Sequence, residues 1–147
     1  MTDLSFAPVS LRPPVWRTAA VSGGLAWNLF GAVQFVGTLT ATETSVIASG
    51  LTPEQAAVMT GYPAWMTVAF GVGVFGGLAG CALLLLRHAA ARMVLLVSLV
   101  AYVALWIGDA VHGVFAAMGM PQVVILTTVV LIAAALYALA RAMPTKS

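Results

Sequence analysis

Charge is what this sequence lacks. Asp, Glu, Lys and Arg make up 7% of its 147 residues, where a soluble domain carries roughly 25%. Hydrophobic residues make up 62%. So little charge cannot solvate a globular surface, and the chain reads as an integral membrane protein with the lipid bilayer as its partner. Cysteine is nearly absent too: Cys81 stands alone, so no intramolecular disulfide can form. It reads as a small packing residue. Alternation of polar and apolar residues is also missing, which excludes a closed membrane barrel of about eight or more strands.

Chemistry is equally sparse. There are four carboxylates and two histidines, with no serine-centred elbow, thiol pair or H-E-x-x-H. An enzyme is hard to assemble from these, and neither enzymatic activity nor a cofactor is expected. Asp109, His112, Glu43 and Glu54 are the one combination with metal-binding chemistry. They include a single histidine and match no ligand spacing, so no metal site is expected. The net charge of +2 reflects membrane orientation and gives no reason to expect nucleic acid.

Four apolar runs remain, near Ala19 to Leu39, Ala64 to Leu86, Met93 to Ala117 and Gln122 to Ala140. Each approximates the ~20 residues that cross ~30 Å of hydrocarbon as a helix. The expected fold is an all-α bundle of four transmembrane helices over residues 16–141, between tails at 1–15 and 142–147. The first run is too long for a signal sequence and lacks a small-x-small cleavage site, so it is read as retained. Arg12 and Arg17 precede the first run, Arg87 and Arg92 flank the second connection, and Arg141 and Lys146 follow the fourth run. The other two connections carry no Lys or Arg, which places both termini in the cytoplasm. In the long first connection Thr52 can cap, Pro53 suits the first helical position and Gln55 completes a capping box. A short outer-surface helix is expected there, closing near Gly61, either as a connector or as a lid.

The second run reads GVGVFGGLAG. Gly71, Gly73 and Gly76 formally match G-x-G-x-x-G, but no strand precedes them and a membrane span offers a dinucleotide nothing. The same stretch holds Gly73-x-x-x-Gly77 and Gly76-x-x-x-Gly80, a small-residue face for close helix packing within the chain or against a second copy. Leucine at Gly77 is expected to disrupt that face and alanine to be milder.

In the third run Ser98, Tyr102, Trp106, Asp109 and His112 follow at spacings of four, four, three and three, which puts them on one stripe. Counting from the helix ends sets Gln34 and Thr127 or Thr128 at a similar depth. A polar layer between the first, third and fourth spans is the expectation. An ionised carboxylate there is unfavourable by several kcal/mol unless paired or hydrated, so Asp109 is expected to share a proton with His112 or to titrate high. Such a layer serves either proton exchange or helix association. Asn28, beside Trp27 in mid-span, reads as an interhelical hydrogen bond.

The stretches WNLFG, PAW and GVFGGLAGCALLLLR resemble a family of small bacterial four-span membrane proteins that often carry the label "sugar transporter". The resemblance covers roughly residues 22 to 105 and is strongest over the second run. It implies four helices in a bacterial cytoplasmic (inner) membrane and carries over no site residues; Asp109 and His112 lie outside it. Two function classes follow. One is a transporter of a small, sugar-like or proton-linked solute, with Trp106 stacking on the solute, working as a homo-oligomer because four helices leave little room inside. The other is an accessory or assembly protein whose polar layer is structural.

Reporter fusions test the orientation. A fusion after Lys146 is expected to report cytoplasm and fusions within Thr52 to Gly61 the outside. A cytoplasmic signal from the second set overturns the assignment.

Overall fold

The computed structural model describes residues 14–146. Four helices in it are long and apolar enough to cross a membrane: α1 (Val15–Thr40), α4 (Ala64–Leu85), α5 (Ala91–Val111) and α7 (Met120–Ala142). Three short helices connect them at one end: α2 (Glu43–Ala48), α3 (Pro53–Thr60) and α6 (Val114–Met118). The protein is a four-helix membrane bundle. Arg12, and all but the last two residues of the expected 1–15 tail, lie outside the described residues, as does Ser147.

Two expectations need correction at the short helices. The first connection holds two helices rather than one. Besides the Thr52–Gln55 capping box that opens α3, Thr42 and Ser45 form a second box that opens α2. The third span does not continue to Ala117. It stops at Val111, with His112 as its C-cap and Gly113 in the left-handed region at φ 75°, a turn that glycine adopts without the Cβ penalty of other residues.

Arg17, Arg87, Arg92, Arg141 and Lys146 all gather at the end opposite the short helices, called here the basic end. Arg92 donates from Nε to Ala140 O at 3.1 Å and from Nη2 to Met143 O at 3.2 Å. Arg17 Nη1 reaches Ala142 O at 3.4 Å. Cations thus sit on the carbonyls that the last turn of α7 leaves unbonded. The segment after α7 is docked as well: Met143 is buried, and the Lys146 amide donates to Arg87 O at 2.8 Å. Beneath them lies an apolar core that includes Val21, Cys81, Leu84, Leu95, Leu136 and Ala140.

α4 is central, packing broadly against α1 and α5, while α7 rests mainly on α5. The glycines of α4 explain this. A Cβ on Gly73 would meet the Tyr102 ring at 2.7 Å, one on Gly80 the Leu95 side chain at 2.5 Å, and one on Gly76 Ser98 Cβ at 3.1 Å. On the other side the Asn28 carboxamide of α1 occupies the space a Gly77 Cβ would take. The small-residue face is therefore filled from within the chain.

Alanine at Gly77, expected to be milder than leucine, also meets the Asn28 carboxamide. Gly77→Ala is expected to lower the melting temperature in detergent, by the ~1–3 kcal/mol of an overpacked core, and Gly77→Leu by more. Asn28→Ala in the Gly77→Ala background should recover part of the loss. An unperturbed Gly77→Ala protein contradicts the packing.

Candidate functional site

Near the basic end α1 and α7 meet, with Leu136 against Gly24 and Arg17 on Ala142 O. Toward the far end a cavity of about 270 Å³ lies between them, walled also by α3, α4 and α5. Trp27, Phe30, Tyr62, Phe70 and Tyr102 supply aromatic wall, and Gln34, Thr38, Thr67, Asp109 and Gln122 supply polar groups. Phe30 and Ile125 line it from α1 and α7 yet are each 58% exposed. The cavity accordingly opens sideways, toward lipid, along the α1–α7 seam. Met59 and Tyr62 bound it on the side of the short helices, where Gln55 Nε2 ties α3 to Ala117 O at 3.2 Å.

Asp109 belongs to this wall and is 1% exposed. Its position in the last turn of α5 follows Gly108, whose missing Cβ leaves room for Trp65 and Met66 of α4. Gln122 Nε2 donates to Asp109 Oδ2 at 2.9 Å. Oδ1 is buried and receives no hydrogen bond. The Tyr62 hydroxyl is close enough to feel this carboxylate: burial first, then the charge of Asp109 and hydrogen bonding to it, hold the phenol above its ordinary value. Its hydroxyl is directed nevertheless at Met59 Sδ, 3.8 Å away.

Deeper toward the basic end the polar groups satisfy one another. Asn28 Nδ2 donates to Gly24 O at 2.8 Å, Tyr102 Oη donates to Asn28 Oδ1 at 3.3 Å, and Ser98 Oγ donates to Gly73 O at 2.6 Å. The first lies within α1, and the other two join α5 to α1 and to α4.

Of the residues expected to form the polar layer, Asp109, Gln34 and Tyr102 share the cavity. The others do not. His112, on the end of α5, is exposed, and its ring lies 6.0 Å from that of Trp65. Asp109 and His112 are not paired: Asp109 is buried against Gln122, while His112 is exposed beside Trp65. Trp106 points away from the cavity, donating from Nε1 to Thr127 Oγ1 at 3.0 Å and meeting the Phe115 ring edge-on at 5.3 Å. Thr128 is exposed and donates to Val124 O at 2.7 Å. Glu43, Glu54, Asp109 and His112 do not gather; among the described residues no three His, Cys, Asp or Glu come together.

Gln122 is the residue that sequence reasoning missed. Its signal is faint: an amide in the first turn of an apolar span, just after Pro121. Comparison with family models, curated proteins and solved structures returns no match to this chain. Function must be read from the site itself.

Removing the amide tests the central contact. Gln122→Leu removes the donor to Asp109 Oδ2, with the Tyr62 hydroxyl left as the nearby donor, and is expected to destabilise by about 1–3 kcal/mol, read as a lower melting temperature in detergent. A Gln122→Leu protein as stable as the native one contradicts the Gln122–Asp109 bond.

Proposed function

We propose that this is a small-solute transporter of the bacterial cytoplasmic membrane, with both termini inside, in which the cavity between α1 and α7 holds the solute and Asp109 is its anchor. The observation that carries the reading is the buried Asp109 Oδ1 without a partner in the wall of that cavity. Concave, mostly apolar sites with a few convergent polar groups are where small molecules bind, and an ionisable side chain inside a membrane bundle is a functional residue by default. The distribution of basic residues supports the orientation, and the resemblance to small bacterial four-span proteins supports the membrane. Proton exchange, if coupled to transport, rests on Asp109 without His112. The cavity lies within one chain, so this reading does not require the homo-oligomer expected from sequence. Catalysis has no part in it.

The accessory role is favoured for one part of the polar layer only. Tyr102 bonds to Asn28 across α5 and α1, and Ser98 to Gly73 O across α5 and α4, which accounts for their polarity through helix association.

Uptake into proteoliposomes, for a panel of sugars and small organic cations with and without a proton gradient, tests the reading. Native protein is expected to take up at least one solute above protein-free vesicles. Folded Asp109→Asn protein should lose about tenfold or more of that rate, the worth of one hydrogen bond to a charged group. His112→Gln, outside the cavity, should leave the rate unchanged. Uptake of none of the panel, or full uptake by Asp109→Asn, overturns the assignment.

A further inference from the structure

The chemistry of the cavity narrows its ligand, given the reading above that the cavity is a solute site. Its one ionisable carboxyl group, Asp109, has a buried oxygen free of hydrogen bonds, and the broad χ2 distribution of an aspartate lets a partial rotation aim that oxygen into the cavity. A buried carboxylate is strongly unfavourable until a donor or counter-charge meets it. The surrounding walls are aromatic, and ring faces attract cations. Among the described residues no Lys or Arg stands at this end of the bundle. Glu43 and Glu54, in α2 and α3, join Asp109 there instead. That field draws cations and repels anions. A sugar, with a hydroxyl on nearly every carbon, would leave most of its donors facing Phe30, Phe70, Ile125 and Leu126. The sideways opening at Phe30 and Ile125 admits a ligand that already partitions into lipid.

We propose that the cavity binds a small hydrophobic organic cation, of arylalkylammonium size, which enters from the bilayer between α1 and α7. Its N–H donates to the free oxygen of Asp109, and its apolar part lies against the aromatic wall. Gln122 holds the other oxygen and so orients the carboxylate.

The test is direct binding. Purified full-length protein in nanodiscs of zwitterionic lipid is titrated with radiolabelled 2-phenylethylammonium against empty nanodiscs, with unlabelled 2-phenylethylammonium, 2-phenylethanol and glucose as competitors. Saturable binding above the empty-disc background is expected, displaced by the unlabelled amine, about tenfold or more less effectively by the uncharged alcohol, and not by glucose. Asp109→Asn, with folding checked by its melting temperature, should weaken binding by about tenfold or more. Gln34→Trp, at an exposed position of the cavity wall, should obstruct the site with Asp109 intact.

Absence of saturable amine binding overturns the proposal, as does native affinity in folded Asp109→Asn or in Gln34→Trp, or equal competition by the alcohol. If Asp109→Asn fails to fold, the alcohol comparison and Gln34→Trp decide. Saturable glucose binding without amine binding would overturn the cation assignment and keep the cavity as a solute site. Amine binding without uptake into vesicles would keep the cation assignment and remove transport.

Discussion

The whole arrangement depends on how closely two helices approach α4. Inside a bilayer the hydrophobic effect no longer drives helices together, so association rests on van der Waals contact and on hydrogen bonds that lipid cannot supply. The glycines of α4 provide both. Their bare backbone admits the Tyr102 ring and the Leu95 side chain from α5 and the carboxamide of Asn28 from α1, and it exposes Gly73 O to the Ser98 hydroxyl. With α1 and α5 held on two sides of α4, α7 is carried mainly by α5. The seam between α1 and α7 is then the one left loosely filled, and the cavity lies there.

The basic end sets where that seam can open. Arg92 and Arg17 hold the last carbonyls of α7 from α5 and α1, and Leu136 closes on Gly24. No comparable clamp joins α1 to α7 at the far end among the described contacts. Cations at a helix C-terminus answer the macrodipole and the unbonded carbonyls together. The residues gathered at the basic end therefore fix which half of the bundle stays closed.

Much of the fold was legible because its determinants are local. Run length and apolarity mark the spans, and the Thr52–Gln55 box marks α3. The Thr42–Ser45 box closes on a serine rather than Glu or Gln, opens a helix of only 6 residues and lacks a following proline, so α2 passed unread. Gly113 was available as a signal that α5 stops, but the apolar residues beyond it looked like more of the same span. Spacing of three along α5 made Asp109 and His112 appear to be partners, but it does not show that one turns to Gln122 and the other to Trp65. The contact Asp109 does make, with Gln122, joins residues on two helices, and periodicity along one helix carries no information about it. The glycine face was visible as a pattern, while its occupants were not: nothing in the spacing says that Asn28, rather than a second chain, fills Gly77.

The polar groups of the bundle separate by whether the fold uses them. Tyr102, Asn28 and Ser98 each complete a bond between helices, so their polarity is consumed by packing. Asp109 differs. An asparagine at this position would present a carbonyl oxygen to Gln122 Nε2 as well as a carboxylate does, with no ionisable group to keep out of hydrocarbon. The second carboxylate oxygen is buried and accepts no hydrogen bond, although the Tyr62 hydroxyl is near. What asparagine could not supply is a charge, and the fold makes no visible use of one there. We propose that the charge is used in the aromatic-walled cavity on which Asp109 borders, at the end of the bundle where, among the described residues, no Lys or Arg stands.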